Sequence, residues 1–135
     1  MTLLHEGLTQ EIIKAFYDVY NNLGFGFLER VYENSLALLL RERGFQVQQQ
    51  VAIFVYFHGV HVGEYYADLL VNDLVILELK AAEALRPEHL AQLRNYLRAT
   101  DIEVGLLLNF GQKATFKRVF LTNDRKGPHA VFPNP

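Results

Sequence analysis

The chain has 135 residues, half of them hydrophobic and 13% aromatic, enough for one folded unit with a real core. It has no cysteine, which excludes a disulfide framework, a thiolate zinc site and a cysteine nucleophile, and which fits a cytoplasmic setting. A net charge of −2 argues against a broad non-specific nucleic-acid footprint, and no run approaches the ~20 apolar residues of a membrane span. The start, MTLLHEGLTQ, lacks the basic residues and apolar run of a signal peptide.

Thr9 reads as the N-cap of a first helix, with Ile12, Ile13, Phe16, Val19, Tyr20 and Leu23 at helical spacing. Gly24 stops it, because glycine takes a left-handed backbone without a Cβ penalty. A second helix is expected over 27–43. Its inner face is read as Leu28, Val31, Tyr32, Ser35, Leu36 and Leu39, and Gly44 ends it. The period then changes to two. Phe45, Val47, Gln49, Val51, Ile53, Val55 and Phe57 form an alternating set, with Gln46, Gln48 and Gln50 between them, as in a half-exposed strand.

His58-Gly59 signals a turn into a second strand, 60–71. Asn72-Asp73 signals another into a third, 74–80. After a connector, Pro87 opens a third helix whose apolar stripe is Leu90, Leu93, Tyr96 and Leu97. The run 104–108 reads as a fully buried strand, and 114–121 as an extended or helical piece. Residues 1–121 are expected to form a single domain. Residues 122–135, with three prolines, form a tail that wraps the surface or frays. The order is α(α)βββαβ. The third strand, the helix and the fourth strand make a crossover, so those two strands should be parallel.

Three charges stand in awkward places. Leu69 to Leu79 reads LLVNDLVILEL, an aliphatic run broken by a turn. Asp68 precedes it, and Glu78 and Lys80 interrupt its end on one strand face. Burying an unpaired charge costs roughly several kcal/mol. Either these groups form a structural ion pair at a sheet edge, or they are held there for chemistry. Two facing carboxylates repel unless a proton or a cation joins them. Hard oxygens, with the Leu79 carbonyl as a further donor, favour Mg²⁺ or Mn²⁺. Lys80 could then orient a water or stabilise charge on a phosphate. On the residues alone both readings stand.

Gly26-x-x-Glu29-x-x-Tyr32 resembles the signature of the GxxExxY proteins, a bacterial and archaeal family within the PD-(D/E)XK nuclease superfamily. The resemblance continues through Tyr66-Ala67-Asp68-Leu69-Leu70-Val71, Leu77-Glu78-Leu79-Lys80-Ala81 and Gln92-Leu93-Arg94-Asn95-Tyr96-Leu97. It implies an α/β, restriction-endonuclease-like αβββαβ core with a central mixed β-sheet flanked by helices. It also implies a Mg²⁺- or Mn²⁺-dependent nuclease acting on DNA, or on RNA. Asp68 and Glu78 match the metal ligands, Lys80 the catalytic lysine, and Glu29 the acid that the first core helix contributes to the metal site. Gln92 matches a polar residue near the metal or phosphate, with Tyr96 one turn beyond. Ala67 stands where the superfamily's name has proline.

The residues taken singly have plainer readings. Glu29 suits a helix start, Gln92 a solvated helix face, and Tyr32 a core position with a bonded hydroxyl and at most a supporting role. Glu33 and Glu42 read as surface charge, His58 and His61 as a solvated hairpin, and His89 as partnerless. Lys113, Lys117, Arg118, Arg125 and Lys126 form either a solvated face or a phosphate contact. The alternative to a nuclease is a catalytically silent nucleic-acid-binding or protein-interaction module on the same fold. A homodimer is expected if both strands of a duplex are cut, with Phe54, Tyr56 and Phe57 as its interface.

Overall fold

Turn chemistry sets the sheet. His58 and Gly59 both take positive φ (51° and 75°) and close a two-residue hairpin, and Asn72 and Asp73 (52° and 55°) turn the chain within the three-residue connection between Val71 and Val75. The structure, a computed structural model, describes residues 3–127. Within them run α1 (Glu6–Leu23), α2 (Glu29–Glu42), β1 (Val47–Phe57), β2 (Val60–Val71), β3 (Val75–Lys80), α3 (Pro87–Arg98), β4 (Val104–Phe110) and β5 (Ala114–Phe120). A single 3-10 turn follows at Asn123–Arg125.

The strands lie in sequence order, β1-β2-β3-β4-β5. β3 and β4 are parallel, and the other neighbours are antiparallel. The α3 crossover accounts for the one parallel pair, since parallel strands need a long connection. The fold is thus α+β, a mixed sheet between helices, consistent with the restriction-endonuclease-like architecture. One apolar layer joins α1 and α2 to Leu69, Leu77, Leu79, Leu106 and Leu108. The opposite layer joins α3 to Ile53, Ala67, Leu70, Ile76 and Leu107.

Several expectations shift. α1 begins at Glu6, so Thr9 lies inside it rather than capping it. The Thr9 hydroxyl instead accepts from Arg118 Nη1 at 2.6 Å and donates to the Glu6 carbonyl. α2 is rotated from its expected face. It buries Tyr32, Glu33, Leu36, Ala37 and Leu40, while Leu28 is 81% exposed and Val31 is on the surface. Of the two forms expected for residues 114–121, the extended one is found, with Ala114–Phe120 as the edge strand β5.

The alternation expected along β1 also breaks. Val47 packs on the α1–α2 side, whereas Ile53 packs on the α3 side, although both are odd-numbered. Between them Gln50 takes a left-handed backbone (φ 53°), and this turns the strand over. β2 changes faces in the same place. Ala67 and Leu70 share the α3 side, and Leu69 and Val71 share the other. Asp68 lies at that change.

Two of the basic C-terminal residues are spent inside the fold. Arg118 donates to Thr9 and to the Leu4 carbonyl. Lys126 Nζ donates to the carbonyls of Thr100 and Ile102 at 2.9 and 2.6 Å. The described part of the expected tail is therefore pinned to the chain ahead of β4, and Asn123 N–H also meets Glu103 Oε2 at 2.8 Å. Residues 128–135 lie outside the described region. No helix among the described residues is long and apolar enough to cross a membrane.

Candidate active site

The sheet opens where its charges sit. β2 and β3 pair at Val71–Val75, Leu70–Ile76 and Leu69–Leu77, and the ladder stops there. The next opposed residues would be Asp68 and Glu78. Their side chains bridge the opening instead of their main chains. Asp68 N–H donates to Glu78 Oε1 at 3.0 Å, and Leu79 N–H donates to Asp68 Oδ2 at 2.8 Å. Each carboxylate thus takes the place of a missing ladder carbonyl. A residue's N–H and C=O leave a strand on the same side, so the Leu79 carbonyl also faces the gap.

A second tier lies behind. Gln50 Nε2 donates to Asp68 Oδ1 at 3.3 Å and to Glu33 Oε1 at 2.7 Å. One amide therefore spends both its hydrogens joining two carboxylates. The flipped backbone at Gln50 is what brings this side chain between α2 and β2. Gln49 Nε2 holds the other Glu33 oxygen at 2.9 Å and Asn34 Oδ1 at 2.8 Å. Glu33 is consequently part of the site's framework and not a surface charge. A signal for it existed. Glu29 and Glu33 are an i,i+4 like-charge pair, which a helix disfavours unless something else engages one member.

Electrostatics match this crowding. Burial, then the Asp68 charge, push the Glu78 carboxyl up to about 8, with Glu29 adding to the rise and Lys80 opposing it. Asp68 is also raised, first by burial and then by Glu33 and Glu29, against the lowering hydrogen bonds from Leu79 and Gln50. Lys80 is half-buried and makes no ion pair among the described residues. The described residues hold two ion pairs, Lys14–Glu11 and Arg43–Asp18, both away from this site. A contact ion pair between Glu78 and Lys80 is therefore not what stabilises these charges.

The remaining expected residues fall at several distances from the clasp. Glu29 is the first residue of α2 and is exposed, but its charge reaches both Asp68 and Glu78. It borders a mouth lined by Phe25, Phe27, Ala81 and Gly111. Tyr32 is fully buried and stacks on Phe110 at 4.3 Å. Its hydroxyl donates to the Gly24 carbonyl (2.7 Å) and accepts from Phe27 N–H (3.2 Å). It holds the turn before Glu29 and does not touch the carboxylates. Tyr96 is 4% exposed, and burial followed by the charges of Glu78 and Asp68 raises its hydroxyl. Gln92 lines a cavity beside Tyr96 and makes no hydrogen bond to either acid.

Asn109 went unnoticed in the apolar run of β4. Its Oδ1 accepts Ala82 N–H and its Nδ2 donates to the Ala82 carbonyl, both at 3.0 Å. This double bond of contacts fixes the chain just after Lys80. His89 is not partnerless either, since its Nδ1 accepts Arg86 N–H at 3.1 Å and closes the start of α3. His58 stacks on Phe57, and His61 packs near Phe54 and Tyr56.

The donor chemistry suits a hard divalent cation. Among the described residues no three His, Cys, Asp or Glu side chains are arranged to hold a metal by themselves. Mg²⁺ does not require such a cage. It keeps several waters and is commonly held by one or two carboxylates together with substrate phosphate. Asp68, Glu78 and the Leu79 carbonyl supply that kind of set, and a cation would offset the Asp68 charge that adds to burial in lifting Glu78.

A family model described as the PD-(D/E)XK nuclease superfamily matches residues 6–119. Among solved structures, "Crystal structure of SSO0001" superposes with a TM-score of 0.52 at 15% identity, covering 87% of this chain and 60% of that one. That likeness speaks for the fold alone, and this chain spans about three-fifths of the other's length. No curated protein matches the chain.

Proposed function

Because the chain belongs to the PD-(D/E)XK nuclease superfamily, we propose that it is a divalent-metal-dependent nuclease of the GxxExxY kind, hydrolysing phosphodiester bonds in DNA. The observation that carries this reading is the clasp across the split between β2 and β3. It gathers two raised carboxylates beside a lysine with no ion-pair partner.

Asp68, Glu78 and the Leu79 carbonyl would hold Mg²⁺ or Mn²⁺, and Glu29 would add negative charge to the site. When bound, the metal polarises a phosphoryl oxygen and lowers the pKa of water. The protein's own groups do the rest. The Asp68 and Glu78 carboxylates are kept in place by main-chain N–H bonds. Gln50 and Glu33 limit how far Asp68 can swing. Lys80 keeps its ammonium free of an ion pair, so it can orient the attacking water by hydrogen bonding and stabilise charge on the phosphate oxygens. Gln92 contacts substrate from the α3 side, and Tyr32 and Asn109 serve by fixing the segments that carry Glu29 and Lys80. The nuclease unit is residues 1–121, and a C2 pair of such units would address both strands of a duplex.

The test is cleavage of single-stranded, duplex and branched DNA, and of RNA, in Mg²⁺ or Mn²⁺. Lys80→Ala and Glu78→Ala should each abolish it while circular dichroism stays unchanged. Cleavage that survives both substitutions contradicts the proposal. A second reading, a silent nucleic-acid-binding or protein-interaction module, is favoured by the scarcity of free basic residues, since Arg118 and Lys126 are engaged internally. Binding without turnover in any divalent metal would support that reading.

A further inference from the structure

Beside the carboxylates, on the α3 side of the sheet, lies a cavity of about 390 Å³ whose chemistry differs from the clasp. That volume is in the size range of small-molecule sites, roughly 300–1,000 Å³. Tyr65 of β2 and Tyr96 of α3 form its aromatic part, with ring centroids 5.8 Å apart. Tyr65 is 47% exposed, so one face of its ring is open. Gln92 and Asn95, on the same helix, add two amides that make no side-chain hydrogen bonds among the described residues. Glu88 and His89 complete the polar rim, and no lysine or arginine lines the cavity.

Tyr96 is 4% exposed, and its hydroxyl, which bonds to no described residue, keeps contact with solvent. The same hydroxyl lies within the electrostatic reach of Glu78 and Asp68, which places the cavity near the clasp.

We propose that this cavity is a nucleobase subsite, in which a base flanking the scissile phosphate stacks on Tyr65 and is held by the Gln92 and Asn95 amides. Without a cation in its lining the cavity is poorly suited to phosphate. An open aromatic face with free amides suits the π-face and the edge of a base. A base can enter only when it has left a duplex stack. The substrate at this point is therefore an unpaired nucleotide, in a single strand or at a branch or distortion. This inference deepens the nuclease reading and rests on it.

The test is fluorescence anisotropy with a labelled single-stranded oligonucleotide, with Ca²⁺ replacing Mg²⁺. A series carries one abasic position at each point in turn. The wild type should lose about ten-fold in affinity at one position, as expected for one stacked base. Tyr65→Ala should lose a similar factor on the intact strand and nothing further on that abasic strand, while Tyr65→Phe binds like the wild type. Equal binding across the abasic series, an unaffected Tyr65→Ala, or losses that multiply would overturn the subsite. If it falls while Mn²⁺-dependent cleavage persists, the nuclease reading stands. If the coupling is seen but no strand is ever cut, the nuclease reading falls, and the cavity remains a base-binding site with no scissile phosphate beside it.

Discussion

Replacing Glu78 by glutamine should stabilise the metal-free protein, and more so as the pH rises. Glu78 is 4% exposed and its carboxyl is lifted from 4.5 to about 8. The folded state therefore holds this proton more tightly than the unfolded chain. The contribution is fully present below the unfolded value and is lost as the pH climbs towards 8. At about 1.4 kcal/mol per tenfold in proton affinity, the full effect is roughly 4–5 kcal/mol, and near pH 8 most of it has been lost. Glutamine carries no charge, and its Oε1 can still accept the Asp68 N–H. The two proteins should have similar stability near pH 5. At pH 8 the Glu78→Gln protein should be ahead by about 4 kcal/mol. Urea denaturation in EDTA, followed by circular dichroism because the chain has no tryptophan, measures the difference at each pH. Adding millimolar Mn²⁺ should raise the stability of the wild type and narrow or invert the gap, since a ligand of the folded state stabilises it by mass action. A stability difference that does not change with pH would refute the reasoning.

Two further substitutions probe the frame around the clasp. Gln50→Ala removes the amide joining Glu33 to Asp68; it should cost about 1–3 kcal/mol in urea denaturation and weaken Mn²⁺ binding as Asp68 loses its restraint. Gly111→Ala would set a Cβ 2.4 Å from the Ala82 carbonyl and 3.0 Å from Asn109 Nδ2; it should cost at least about 1–3 kcal/mol, and amide exchange at Ala82 should quicken as the Asn109 bonds to the segment after Lys80 are strained.

Much of the site's floor was legible because charge interrupted an apolar pattern. Asp68, Glu78 and Lys80 stood out against the aliphatic runs around them, and the turns at His58-Gly59 and Asn72-Asp73 fixed which strands were neighbours. The walls were harder to read. Leu28 and Val31 looked like core by spacing, but α2 buries Glu33 instead because Gln49 and Gln50 satisfy both its oxygens. That exchange depends on a strand lying across from the helix, which helical periodicity does not contain. Gln50 offered no hint of its left-handed backbone, a conformation more typical of glycine or asparagine. It follows that β1 changes faces halfway along while its sequence keeps an unbroken alternation. Asn109 was hidden for a related reason. Among the described residues its side chain bonds to the main chain of Ala82, 27 residues away, and a lone asparagine at the end of VGLLLNF reads as a strand terminus.

The account turns on whether the Asp68–Glu78 clasp takes a divalent cation. Isothermal calorimetry of Mn²⁺ binding to the wild type and to Glu78→Ala asks this directly, at a pH near 8 where Glu78 gives up its proton readily. The wild type should bind one Mn²⁺ per site with measurable heat and proton release, and Glu78→Ala should show no saturable heat. No heat of binding in the wild type, or equal heats in the two proteins, would contradict the metal site.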